Sequence, residues 1–359
     1  MKNKRKLYVL LGLLISSITL HYITLDSSKV EVFYGSHFYD QFSSLLRRAT
    51  SIFSFSIGDI FYTIAFCWLG WKLFRWVRGL FSKNVSSKFI IQGLLSFLIF
   101  VAAIYLIFNL MWGINYNRNS VEWKMGLSIE RYSSLDLKKI DSILLDSMNS
   151  SKEQIVKDVQ VGLNQPQLFA TAIEAFSTSA KNYPFLQYKN PDIKSSMYGW
   201  LGNYAGFTGY YNPFTGEAQV NTTIPAFLQP YIVCHEVAHQ IGFSKESEAN
   251  FIAFIVSKNS KNELLKYSAY LQLYVYANSS LYAYDSSAAK RSREKISAAV
   301  KKDIDEWRKF NKSHVNKFEP MTAWVYDLFL KNNQQPQGLL SYEGVVGLLI
   351  NYYKKNGSL

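Results

Sequence analysis

The chain has 359 residues, enough for one large domain with an appendage or for two domains. Its two cysteines exclude a disulfide framework. Of the net charge of +13, +8 falls within residues 1–113, where 12 Lys and Arg stand against 4 Asp and Glu. Because this excess flanks apolar segments, it indicates membrane topology and argues against nucleic acid as a partner.

Three apolar segments are long enough to cross a bilayer, at about residues 7–25, 53–71 and 89–112. Residues 1–113 are therefore predicted to be a membrane anchor, with the lipid bilayer as a partner. The first segment is alternatively a cleaved signal peptide, but it is long and no small-residue cleavage motif follows it. The expected protein is a multi-pass protein of the cytoplasmic membrane.

Lysine and arginine collect at the N-terminus and between the second and third segments, as with Arg75, Lys83 and Lys88. Cytoplasmic loops attract such residues. The N-terminus is thus predicted inside, and three crossings place residues 114–359 on the outer, periplasmic or extracellular side. Cleavage of the first segment would not change this prediction, because the two remaining crossings lead back to the same side.

Residues 114–359 are predicted to form a mainly helical (α+β) domain. Helical spacing of apolar residues indicates helices at 133–151 and 166–183, and residues 287–310 are expected to form an amphipathic helix. The segment "GYYNPFTGEAQVNTT" is rich in aromatic and β-branched residues around the turn residues "NPFTG". It predicts a small β-hairpin.

The motif His235-Glu236-Val237-Ala238-His239 follows this hairpin. On a helix, residues four apart share a face, so His235 and His239 are predicted to bind one metal ion. Zinc lowers the pKa of a bound water, and Glu236 is predicted to take its proton as general base. The alternative is a pair of histidines satisfied on an ordinary polar helix face.

A catalytic zinc site needs a third protein ligand. Gly242 permits the left-handed turn that ends a helix, and Ser244 is predicted to cap the next one. Glu246 is favoured as the ligand because Asn250, four residues on, shares its face and would hydrogen-bond a ligand histidine. The alternatives are Glu248 and the remote His314.

A predicted strand precedes the histidine motif by some fifteen residues. It consists of Glu217, Ala218, Gln219, Val220 and Asn221. One interpretation is that its edge pairs with an extended substrate, since added strands are a recurring mode of peptide recognition. The other is a structural hairpin that packs its aromatic residues.

The run "CHEVAHQIGFSKESEAN" resembles the zincin metallopeptidases, and within them the glutamate-zincins, whose third ligand is the first Glu of E-x-x-x-D on a following helix. Here Asn250 stands in place of that Asp, and the interval from His239 to Glu246 is shorter. Over nearly its full length the chain is similar to a bacterial membrane-anchored family of unknown function that shares "NPFTGEAQVN" and H-E-x-x-H-x-x-G-x-x-x-E-x-E-A-N. The resemblance implies a zincin-like fold with one Zn²⁺ per chain.

The expected function is therefore a membrane-anchored zinc metallopeptidase, a hydrolase acting on peptide or protein substrates. The alternative is a catalytically silent zincin-fold scaffold in the cell envelope, against which the presence of Glu236 argues. A transporter is disfavoured because only three spans are predicted.

Overall fold

The computed structural model describes residues 2–81, 86–128, 130–158 and 162–359. Lys83, part of the charge argument, lies outside the described residues. The protein is mostly helical, as predicted, and it also contains a small mixed sheet. The first five α-helices are α1 (Lys2–Ile23), α2 (Ser27–Lys29), α3 (Asp40–Thr50), α4 (Ile57–Leu80) and α5 (Ser87–Met111). A π-helix, Val30–Tyr39, lies between α2 and α3.

Three of these helices, α1, α4 and α5, are long and apolar enough to cross a membrane, as predicted. The second starts later than expected because the Ser56 side chain caps α4 and accepts the Asp59 N–H at 2.8 Å. Helix α1 packs along α5. Helix α4 instead touches α5 through large side chains, including Trp68 and Phe100, whose ring centroids are 5.9 Å apart.

The remaining helices form one body with the sheet. They are α6 (Val121–Met125), α7 (Ser134–Lys157), α8 (Gln165–Ala180), α9 (Gly199–Ala205), α10 (Gln229–Gln240), α11 (Glu246–Lys258), α12 (Glu263–Tyr284), α13 (Ser286–Glu294), α14 (Ala298–His314), α15 (Glu319–Asn332) and α16 (Val345–Asn356). The predicted helix over 287–310 is two helices, because Ser297 caps a new one by accepting the Val300 N–H at 3.3 Å.

Helices α10 and α11 lie at the centre of the core, where they contact each other and α8 and α12. Val237 and Ala238 of α10 and Phe251 and Phe254 of α11 are fully buried. Truncating a buried Phe to Ala typically costs about 3–5 kcal/mol, so this packing fixes both helices firmly. The residues carried on their facing surfaces are therefore held in a rigid setting.

The sheet has three strands, β1 (Ile193–Ser195), β2 (Gly209–Asn212) and β3 (Glu217–Val220), in the order β1-β3-β2. Strand β3 runs parallel to β1 and antiparallel to β2. The predicted hairpin is thus β2 and β3, with Gly216 at φ +75° in its turn. Strand β1 and helix α9 were not predicted, because each is short and carries no periodic pattern of its own.

The connection between α1 and α4 packs into the same body as residues 114–359. The Arg47 guanidinium donates to the carbonyls of Lys189 at 2.9 Å and Gln240 at 3.2 Å, and the Tyr39 hydroxyl donates to Gln240 at 3.0 Å. Arg47 and Tyr39 are each 1% exposed. The connection between α1 and α4 therefore packs against residues that lie beyond the predicted boundary at residue 113.

All three apolar helices meet this body at one end. The Glu217 carboxylate accepts the Ile57 N–H at the start of α4 at 3.0 Å, a favourable position for a negative charge. The Trp112 indole, just after α5, donates to the carbonyl of His239 at 3.3 Å. The Asn117 amide donates to the carbonyl of Thr24, just after α1, at 2.8 Å.

Candidate metal centre

The turn after α10 fixes the second histidine of the motif. Gly242 has φ +102°, as predicted for a glycine that ends this helix, and a Cβ there would lie 2.5 Å from Arg118 Nη1. The Phe243 N–H then donates to the Ala238 carbonyl at 3.0 Å. The Phe243 carbonyl lies 2.7 Å from Nδ1 of His239, which orients that ring and leaves its Nε2 facing the cleft.

Helix α11 starts with Glu246 as its first residue. The prediction that Ser244 caps this helix is wrong, because Lys245 occupies the cap position and makes no side-chain cap. The Glu246 N–H instead donates to Oε1 of the buried Gln335 at 2.9 Å. No local pattern indicates this cap, since Gln335 lies in a loop 89 residues downstream.

His235, His239 and Glu246 come together in a buried cluster. The two histidine Nε2 atoms are 3.1 Å apart. Glu246 Oε2 lies 3.2 Å from Nε2 of His235 and 3.4 Å from Nε2 of His239. Among the described residues, neither Glu246 Oε2 nor His235 Nδ1 has a hydrogen-bonding partner of good geometry. Three potential metal ligand atoms, Nε2 of each histidine and Oε2 of Glu246, thus lie close together, and the carboxylate oxygen has no hydrogen bond among the described residues.

The ionised side chains within the cluster stabilise each other. Burial opposes ionisation of both His239 and Glu246, but their attraction is stronger; it raises the pKa of His239 to about 9 and holds that of Glu246 well below its usual range. Burial lowers the pKa of His235. Burial also raises the pKa of Glu236 to about 8. These shifts describe an ion pair between His239 and Glu246 beside a Glu236 carboxyl that burial keeps largely protonated.

Two tyrosines orient the second oxygen of Glu246. The Tyr326 hydroxyl donates to Glu246 Oε1 at 2.9 Å and lies 3.1 Å from the Tyr342 hydroxyl. The Tyr342 ring stacks against His235 at 6.2 Å between ring centroids. Sequence reasoning missed Tyr326, because it lies on α15, 80 residues after its partner, with no spacing that signals the contact.

The position of Asn250 differs from its predicted role. Its Oδ1 accepts from the Tyr231 hydroxyl at 3.0 Å, and its Nδ2 donates to the Tyr342 carbonyl at 3.3 Å. Asn250 lies close enough to offset part of the burial effect on the pKa of His235, but within the described part of the chain His235 Nδ1 has no hydrogen bond of good geometry. Asn250 therefore supports the tyrosine that stacks on the histidine, rather than bonding the histidine.

The two alternative third ligands lie elsewhere. Glu248 points away from the cluster and pairs with Lys245 at 3.2 Å. His314 ends α14, where its ring lies 5.0 Å from that of Tyr204. The geometry therefore leaves Glu246 as the carboxylate that faces both histidines.

The strand predicted to pair with substrate is the central one. Both edges of β3 are occupied, by β1 and β2, so Glu217–Asn221 has no free edge. The side chains of this segment serve the fold instead: Glu217 caps α4, Gln219 donates to Ser56 at 2.6 Å, and Asn221 donates to the Gly199 carbonyl at 2.9 Å. Ala218 and Val220 are buried in the core. The interpretation that this segment pairs with substrate through a free edge is therefore corrected, because β1 occupies that edge and the sequence did not predict β1.

The edge strand beside the cluster is β2. Gly209, its first residue, approaches Glu236 so closely that a Cβ there would lie 2.5 Å from Glu236 Oε1. Glu236 Oε2 is buried without a hydrogen-bonding partner among the described residues. Oε2 of Glu236, the open edge of β2 and the cluster of His235, His239 and Glu246 therefore line one space. We call this cluster of three residues the metal-type cluster.

That space is a cleft of about 550 Å³. Its walls are formed by β2 and the turn after it, by α5 and α15, and by the first turns of α4. His235, Glu236, His239 and Glu246 lie at one end. A second depression, of about 600 Å³, lies between α7 and the start of α14. Because its lining contains neither histidine nor cysteine, the cleft with the cluster is the better candidate site.

Fold and site together define a mostly helical protein with three apolar helices and a buried His-His-Glu cluster. The chain belongs to the family described as "Protein of unknown function (DUF3810)", whose family model matches residues 34–350. The match starts within the connection between α1 and α4, which agrees with the packing of that connection into the main body. No curated protein and no solved structure matches the chain.

Proposed function

We propose that the chain is a membrane-anchored, zinc-dependent metallopeptidase of the zincin type. The observation that carries this proposal is the spacing of the three donor atoms, 3.1, 3.2 and 3.4 Å. Two ligands on a tetrahedral zinc, each about 2.0–2.1 Å from the metal, lie about 3.3 Å apart. His235, His239 and Glu246 would hold one Zn²⁺ per chain.

A bound Zn²⁺ supplies an acidified water and polarises the carbonyl of the scissile bond. Glu236 Oε2 is free to accept a proton from that water and to pass it to the leaving amine. The carbonyl carbon gains the water oxygen as the C–N bond breaks, so the reaction needs no further reactant. A nearby cation would lower the pKa of Glu236 from its metal-free value of about 8, which favours its action as a base.

The open edge of β2 is the proposed site of substrate alignment. An extended peptide added there would run past Glu236, because Gly209 keeps that approach clear of side-chain atoms. The proposed substrate is therefore a peptide or protein rather than a compact small molecule.

The outer side of the cytoplasmic membrane is the proposed location of the cleft. The N-terminus and residues 72–88 carry the basic residues, whereas the opposite ends of α1, α4 and α5 meet the main body. A reporter that is active only outside the cytoplasm, fused to the C-terminus, should give a signal. A signal confined to a cytoplasm-specific reporter would reverse the orientation.

The central test compares the full chain with its Glu236→Gln variant, purified in detergent. Both should contain one zinc per chain by elemental analysis, but only the native chain should hydrolyse a fluorogenic peptide library. Glu248→Gln is the matched control, since it changes a buried glutamate outside the cluster and should leave hydrolysis intact. Zinc without hydrolysis by the native chain would favour the silent scaffold, and absence of zinc would refute the site.

A further inference from the structure

The cleft runs from the metal-type cluster down along α5. Ile104 and Phe100 both line it. With a rise of 1.5 Å per residue, they lie about 10 Å and about 16 Å from the end of α5 at Met111. Half of a bilayer's hydrocarbon core is about 15 Å thick. When α5 crosses a membrane, the cleft therefore extends to hydrocarbon depth.

The cleft opens between two apolar helices. Tyr62 of α4 lines one wall, and Phe214 of the β2–β3 turn packs beside it, with its ring 5.5 Å from that of Phe61. Helices α4 and α5 touch below, through Trp68 and Phe100. Above that contact both helices line the cleft, and we infer that a chain lying in the bilayer reaches the cluster by passing between them.

An exposed apolar patch beside the cleft continues the surface of α5. Phe329 of α15 lies 6.1 Å from Phe108 of α5, measured between ring centroids. On the neighbouring α9 and α15, Trp200 is 59% and Trp324 is 62% exposed. Tryptophan is enriched where proteins meet the membrane–water interface. The patch therefore indicates that the mouth of the cleft lies at the bilayer surface.

The chemistry at the two ends of the cleft identifies one occupant. The open edge of β2 offers backbone N–H and C=O groups, which suit the backbone of an extended polypeptide. The α5 wall offers the apolar side chains of Val101 and Ile104, which are 47% and 40% exposed. A lipid acyl chain would suit the second feature but has no backbone to pair with the first.

We propose that the substrate is a polypeptide anchored in the same membrane, cleaved beside its span while the adjoining apolar residues occupy the cleft along α5. This inference rests on the proposed peptidase function. It adds where the substrate comes from and which part of it the enzyme recognises.

The test uses the full chain in vesicles of phosphatidylethanolamine and phosphatidylglycerol. One probe is a polypeptide with a leucine-rich span of about 20 residues and a random flanking segment; the other is the segment alone. A photo-cross-linking residue replaces Ile104 in the Glu236→Gln chain. Replacement of Ile107 is the control, because it is 45% exposed on the same helix and outside the cleft.

The residue at position 104 should cross-link the anchored probe, whereas the residue at 107 should not. In the chain that retains Glu236, Ile104→Trp should lower kcat/KM for the anchored probe by about 10-fold, roughly the worth of burying one large apolar side chain. Hydrolysis of the free segment is the reference: the ratio of kcat/KM for the anchored probe to that for the free segment should fall with Ile104→Trp and stay at the native value with Ile107→Trp.

Equal hydrolysis of both probes, unaffected by Ile104→Trp, would overturn the inference while the peptidase function stands. Cross-linking at 104 without hydrolysis of any probe would support an anchored polypeptide ligand and refute the peptidase. Cross-linking at 104 to phospholipid alone would overturn the inference in favour of a lipid ligand.

Discussion

The metal-type cluster and the cleft beneath it are built in opposite ways. The cluster comes from residues 235–246, two successive helices joined by the Gly242 turn. The cleft is assembled from segments as distant as Tyr62 and Phe329. The cluster therefore depends mainly on local geometry, whereas the cleft depends on how the apolar helices meet the main body. Substitutions that separate metal binding from substrate handling test this distinction.

The largest effect is expected from His235→Ala and His239→Ala. Each removes a donor from a three-residue cluster, so zinc affinity should fall beyond the roughly 10–100-fold that is typical of losing an outer hydrogen-bonding partner. Elemental analysis of the purified full chain measures it. His37→Ala is the control, since this exposed histidine lies on the π-helix. Full zinc occupancy in both cluster variants would remove the cluster from consideration as a metal site.

Glu246→Ala is expected to lower zinc affinity by about 10-fold or more, because it deletes the only carboxylate facing both histidines in the described cluster. Glu248→Ala should change the affinity little, since its partner is Lys245. Competition with a chelator of known affinity ranks the two variants. The opposite ranking would mean that α11 presents a different face to α10.

Gly209→Ala tests the cleft without touching the cluster. Its Cβ would displace Glu236, and a displacement of about 1 Å from a reactive position can cost up to ~100-fold in rate, so we expect at least a 10-fold fall in hydrolysis. Zinc content should stay at the native level. Gly162→Ala is the matched control, because a Cβ there meets no atom of the described residues within 4 Å. Unchanged hydrolysis would place the reaction away from β2.

Tyr326→Phe removes the hydroxyl that holds Glu246 Oε1. Loss of such a partner typically weakens metal binding by about 10–100-fold, and we expect the lower end because Tyr342 lies close enough to replace it. The same chelator competition measures the change. Asn250→Ala should weaken binding less than Tyr326→Phe, because Asn250 does not bond a cluster residue directly; a larger loss would restore its predicted role.

The smallest effect on zinc affinity and hydrolysis is expected from Arg47→Ala, whose main effect is on stability. It removes the donor to the Lys189 carbonyl and one of the two donors to the Gln240 carbonyl, which should cost about 1.5–3 kcal/mol of stability. Arg48→Ala, at an exposed neighbour, should change stability by less than about 0.5 kcal/mol. Thermal unfolding in detergent compares the two. Equal melting temperatures would mean that the connection between α1 and α4 contributes little to the main body.

Sequence patterns predicted the local half of this molecule well. The i, i+4 spacing of His235 and His239, the Gly242 turn and the three apolar helices all appear as expected. The sheet was harder, because β3 becomes a central strand only through β1, which pairs with it from more than 20 residues away. The same distance concealed Tyr326, whose contact with Glu246 joins two helices that no periodicity relates.

The predicted boundary at residue 113 takes no account of the packing of the connection between α1 and α4, for a related reason. Apolar segments indicate where a chain enters the bilayer. They do not show which polar connection packs against which folded part of the protein. Arg47 is a basic residue in such a polar connection, and it is buried and bonded to residues 142 and 193 positions later. Such a pairing follows from tertiary structure alone.

That pairing also sets an order for biosynthesis. Arg47 leaves the ribosome long before Lys189 and Gln240, its partners 142 and 193 residues downstream. Because synthesis adds about 5–20 residues per second, the connection lacks the surface that buries it for roughly 7–40 s. During that time its exposed aromatic residues, such as Phe33 and Phe38, lie next to the nascent first apolar helix. A fragment that starts at residue 114 never receives this connection, so expression of the intact chain is the sound route to a folded protein.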